Sequence, residues 1–164
     1  MDHQQPNHLA WHETLEIHEL VAFQAIGLMK CKKTYSDITD PALKDLYKEA
    51  IEGLSANIRE LIMFYPVTAR SEDEDDSRND ETPFYAGDLL VFMKTSVRNY
   101  AIAITETATP ALRDVLKLQL MAVINLHAKV FYYMYGKSYY PSYDLDKLLQ
   151  NDINLASKAL NQSL

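Results

Sequence analysis

Between His12 and Glu19 the chain gathers two histidines and three glutamates in eight residues, His12-Glu13-Thr14-Leu15-Glu16-Ile17-His18-Glu19. Imidazoles and carboxylates at such density invite a metal or an acid–base reading. The segment is not the His-Glu-x-x-His of zinc proteases. Its histidines stand six apart, about 240° from each other around a helix. His12, Glu16 and Glu19 do share one edge of a helix, at spacings of four and three. With His127 further along the chain, they are the candidate metal ligands. The competing account makes His12 and Glu16 a plain i,i+4 pair and sets Glu19 at a boundary. A di-metal bundle site also needs Glu-x-x-His on each of two helices. Three residues before His8, His12, His18 and His127 stand Gln5, Leu9, Leu15 and Ile124, so the motif is absent from the sequence.

Other chemistry is thinly represented. His18 falls on an apolar face and is expected to meet Asn57 across a helical hairpin, each satisfying the other. Glu106 and Arg113 are placed to pair across a turn. Cys31 is the single cysteine, which precludes an intramolecular disulfide. It lies between Lys30 and Lys32 with no histidine near it in the pattern. No phosphate-binding glycine loop and no Gly-x-Ser-x-Gly elbow occurs. The residues support neither an enzyme nor a cofactor.

The elements that would hold these residues are helices. Asn7 can cap a first helix over about 8–33, with Trp11, Leu15, Ala22, Ile26 and Met29 on one stripe. Asp40-Pro41 gives a cap followed by a proline at the first helical position. The second helix then carries Leu43, Tyr47, Ala50, Leu54, Asn57 and Leu61 and ends near Tyr65-Pro66. Periodicity is lost over 66–87. A third helix, about 88–107, lines up Leu90, Met93, Val97, Tyr100 and Ile104. Thr109-Pro110 opens a fourth, with Leu116, Leu120, Val123, His127, Val130 and Met134. A shorter helix over 144–161 closes the sequence. Two short links and one long one predict two antiparallel hairpins joined by a crossover. That is an all-α, ferritin-like four-helix bundle plus a C-terminal helix. An up-down-up-down bundle with a long acidic loop is the alternative. Residues 1–7 read as a polar tail and 8–164 as one domain.

Charge narrows the partners. The chain carries a formal −7, and residues 71–82 alone hold seven acids and one Arg, so the remainder is nearly neutral. With no basic stripe there is no electrostatic footprint for nucleic acid. No apolar run is long enough to span a bilayer, and Met1 to His8 lacks the pattern of a signal peptide. The sequence therefore predicts synthesis and folding in the cytoplasm.

Eleven tyrosines against five phenylalanines is an unusual aromatic balance. Tyr132, Tyr133 and Tyr135 cannot all face one core, because successive helical residues turn by about 100°. Exposed tyrosines favour protein interfaces. The stretches WHETLEIHELVAFQ, FYAGDLLVFMKTSVRNYAIAITETATPALRDVLKLQL and YYPSYDLDKLL resemble the spore coat protein F family of endospore-forming bacteria. That resemblance, over nearly the whole chain, implies a ferritin-like fold, a place in the spore coat and no catalytic residues to transfer. Its implied partners are other coat proteins or further copies of the chain, with a homo-oligomer expected. A residual ferritin-like metal protein or oxidase, using His12, Glu16, Glu19 and His127, is the competing function. A regulatory or adaptor module whose acidic crossover binds a basic partner or a divalent cation is a third.

Overall fold

The computed structural model describes residues 9–66 and 80–164, and every regular element among them is an α-helix. In order these are α1 (Trp11–Tyr35), α2 (Pro41–Ile62), α3 (Thr82–Glu106), α4 (Pro110–Gly136) and α5 (Leu145–Asn161). None is long and apolar enough to cross a membrane. Contacts group the helices into two compact units, α1 with α2 and α5, and α3 with α4.

Local chemistry sets most of the ends. Asp40 caps α2 by accepting the Leu43 N–H at 2.7 Å, and Pro41 follows at the first position. Asp144 accepts the Lys147 N–H at the start of α5. Two starts differ from expectation. α1 begins at Trp11 after Ala10, whose N–H is held by Glu13 at 2.8 Å; the expected cap, Asn7, lies outside the described residues. α3 begins at Thr82 rather than near Asp88, because Pro83 in its first turn already has a helical φ.

In the three-helix unit α1 packs against both α2 and α5. Its buried face is His18, Val21, Ala25, Leu28 and Lys32, joined by Ile26 and Met29. The expected stripe is rotated, and Trp11 is 77% exposed. On α2 the buried positions are Ile51, Ser55 and Ile58. Asn57 is exposed. Ser55 is accommodated there because its hydroxyl donates to the Ile51 carbonyl at 2.6 Å. Leu148, Leu149, Ala156 and Ala159 of α5 complete this core.

The α3–α4 hairpin matches its expected faces. Met93, Val130 and Met134 are buried, while Leu90, Val97, Tyr100, Ile104, Leu116, Leu120, Val123 and His127 are half-buried. Arg113 does not rely on Glu106: its guanidinium donates twice to the Thr107 carbonyl, at 2.7 and 3.3 Å. The arginine thereby ties the start of α4 to the end of α3.

Candidate interaction surface and buried polar clasp

Three of the four residues singled out as metal ligands sit on α1 and the fourth on α4. His12, Glu16 and Glu19 are exposed on α1, and His127 is half-buried on α4. Among the described residues no group of three or more His, Cys, Asp or Glu side chains is placed to hold a metal ion. Cys31 is half-buried, and burial pushes its thiol up from the ordinary value against the pull of Lys30. That shift opposes nucleophilic use.

The polar chemistry of the three-helix unit lies elsewhere. His18 Nδ1 sits 2.7 Å from Asp152 Oδ2, and the Tyr65 hydroxyl donates to the same oxygen at 2.6 Å. All three are nearly inaccessible, at 4%, 3% and 2% exposure. Burial raises the Asp152 carboxyl above its usual range, while the hydrogen bonds and charge of His18 and the bond from Tyr65 pull the other way. Tyr65 is also raised, by burial first and then by the neighbouring carboxylate. Both phenol and carboxyl are thus held as hydrogen-bonding groups rather than as acids available to a substrate. His18 therefore finds Asp152 on α5, not Asn57 on α2. Asn57 lies one position off the buried face.

A second contact secures the other end of α5. The Lys32 ammonium, buried on α1, donates to the carbonyls of Ala159, Leu160 and Gln162 at 2.8, 3.0 and 2.7 Å. The last turn of a helix leaves such carbonyls without intrahelical partners, and a cation there also meets the negative end of the helix. Burial, then Arg59, lowers the Lys32 pKa. His18 and Lys32 together make a polar clasp fixing both the position and the direction of α5.

The hairpin presents a surface instead. α4 ends through Ser138, whose φ of 59° is left-handed. Tyr139 N–H then bonds Met134 O at 2.9 Å and Ser138 N–H bonds Tyr135 O at 3.0 Å, the paired bonds of a Schellman ending. The reversal folds Tyr139 and Tyr140 back onto Ala86, Val130 and Met134. Tyr140 meets Phe131 edge-on at 5.7 Å, and Tyr139 meets Tyr133 at 6.4 Å. Burial first, and then the charge of Asp80, raise the Tyr139 phenol. Tyr132, Tyr133 and Tyr135 stay exposed, at 69%, 45% and 42%, as the helical rotation requires. Beside them runs a shallow groove of about 400 Å³, lined by Tyr85, Ala86, Leu89, Lys129, Val130 and Tyr133.

One comparison falls on this hairpin and a second gives a relative. The profile of the Coat F domain covers residues 83–143. The spore coat protein F-like protein YraD of Bacillus subtilis (strain 168) is 33% identical over 75 residues, spanning 46% of this chain and 76% of that protein. The chain belongs to the Coat F family. Membership places it among the proteins of the bacterial spore coat. No solved structure matches it. The Coat F segment contains the groove, the Schellman ending and the exposed tyrosines. His18, Lys32, Tyr65 and Asp152 lie outside that segment. Periodicity placed His18 on an apolar face but gave it the wrong partner, and it missed Lys32, which counts as a polar break in a stripe. Their spacing to Val21, Ala25 and Leu28 was the available signal.

Proposed function

We propose that this protein is a structural component of the spore coat, held to its neighbours and to further copies of itself by protein–protein contacts rather than turning over a substrate. Family membership carries the reading. The exposed apolar and aromatic side chains of the hairpin support it, because single soluble chains rarely leave contiguous apolar patches in water. Asp152 and Tyr65, both raised by burial, satisfy one another inside a core. That is the chemistry of a scaffold.

The test is cell-biological. In the sporulating organism, a tagged chain should fractionate with purified coats, and deleting the gene should change coat layering in electron micrographs or the set of extractable coat proteins. A product abundant in growing cells and missing from spores overturns the proposal.

A further inference from the structure

We propose that α5 is a proton-operated latch: it closes on α1 as the buried Asp152 carboxyl takes up a proton shared with His18, and it opens ahead of α1 and α2 when that proton is lost. This goes beyond the coat reading and does not depend on it.

The anchors of α5 are light. It packs mainly on α1, and its buried side chains are Leu148, Leu149, Asp152, Ala156 and Ala159. Alanines bring little apolar area, so the two leucines supply most of the oily contact among these five. Along the chain α5 is reached only after α3 and α4, so no short link ties it to α1 or α2. A segment with few apolar anchors is the kind that opens locally, before the whole fold does. His18, Val21, Ala25, Leu28 and Lys32 follow one line of α1 at spacings of three and four. Asp152 holds one end of that line and the carbonyls of residues 159–162 hold the other. Opening α5 therefore bares the line to water.

The geometry at Asp152 makes closure depend on a proton. Its Oδ2 lies 2.7 Å from His18 Nδ1 and accepts from the Tyr65 hydroxyl at 2.6 Å. A carboxylate beside a neutral imidazole and a phenol leaves one net negative charge out of water, which is costly. One added proton, on either side of the His18–Asp152 contact, neutralises the group and keeps both hydrogen bonds. When α5 swings away, the carboxyl returns to water and releases it. Burial is the largest influence on Asp152 and raises it; Glu19 of α1 adds to the rise, while His18 and Tyr65 oppose it. Arg59 of α2 faces Lys32, at the other end of α5. Because the seated carboxyl sits above its ordinary value, closure is fullest below that value. It weakens as pH rises through the seated one, by up to about tenfold per pH unit.

Hydrogen exchange of the full chain, corrected for the intrinsic pH dependence of amide exchange, reads the opening of residues 145–161. In wild type that opening should grow about fivefold or more from pH 5 to pH 7, with α5 exchanging before α1 and α2. Asp152→Asn keeps an oxygen for both donors and does not titrate, so its opening should change less than about twofold over the same range. Because an amide at this position risks seating α5 poorly, a second arm uses the native carboxyl. The carbon-13 signal of the Asp152 carboxyl should titrate above its ordinary 3.8. Tyr65→Phe removes a bond that favours the carboxylate, so it should move both that titration and the opening of α5 to higher pH. A wild-type opening that is flat with pH, an equal slope in Asp152→Asn, or a Tyr65→Phe that moves neither readout overturns the proposal. So does an α5 that exchanges only together with α1 and α2.

Discussion

The two units solve the problem of burying helices differently. In α1, α2 and α5, Val21, Ala25, Leu28, Ile58, Ala156 and Ala159 are wholly inaccessible, and polar groups are drawn inside with them. In α3 and α4 the most buried side chain, Phe84, still shows 4% of its surface, and long apolar residues such as Phe92, Leu118 and Met121 face outward. The first unit has the interior of a finished domain and the second has a seam. Stability should accordingly reside in the first and association in the second.

The sharpest way to break this contrast is at His18. Replacing it by Ala strands the buried Asp152 carboxyl without one of its two donors. Losing one partner of a buried pair costs about 3–5 kcal/mol. Leu118→Ala, on an exposed stretch of the hairpin, should change stability by about 0.5 kcal/mol or less. Urea melts of both variants check the pair of values, and equal losses would erase the distinction between the units.

A smaller effect separates charge from shape in the clasp. Asp152→Asn keeps an oxygen for Tyr65 and His18 but removes the titration. Because the folded carboxyl sits above its ordinary value of 3.8, the folded protein binds that proton more tightly than the unfolded chain. The resulting stabilisation is complete below the unfolded value and fades as pH rises through the folded one. The groups facing Asp152 are His18 and Glu19 from α1 and Tyr65 beyond α2. Measured against the variant, wild type should therefore gain stability as pH is lowered from about 7 to about 4. A difference that stays flat with pH would assign the clasp to shape alone.

The smallest expected change sharpens the account of the hairpin. Ser138 holds a left-handed backbone that costs a residue with a Cβ about 1 kcal/mol relative to glycine. Ser138→Gly should stabilise the chain by about 0.5–1 kcal/mol and raise the thermal midpoint slightly. No gain would mean that the serine side chain stabilises the turn as much as its backbone opposes it.

These contrasts explain what could be read from the sequence. The hairpin faces were legible because Leu, Val, Met and Ile recur there with little polar interruption. The start of α2 followed from Asp40-Pro41, and α5 lies within the expected 144–161. On α1 and α2 the same scan slipped around the helix, since Lys32 and Ser55 occupy buried positions as polar residues while Trp11 and Asn57 are exposed. Such groups are stable inside only through partners far along the chain. Asp152 is 134 positions from His18, a separation over which one sequence carries no pairing signal. Ser138 hid for another reason: Gly136, two residues earlier, is the conventional place to expect a left-handed ending.

One consequence of the clasp concerns direction. His18 meets Asp152 and Lys32 meets the carbonyls at 159–162, so α1 and α5 lie side by side pointing the same way. Parallel helices add their dipoles, where antiparallel neighbours would cancel them. Two negative termini then gather at one end of the unit, and Lys32, in the last turn of α1 and against the last turn of α5, is the counter-ion they share. Acetylating that amine would remove the charge the two ends share and leave only Lys33 and Lys158 in their last turns.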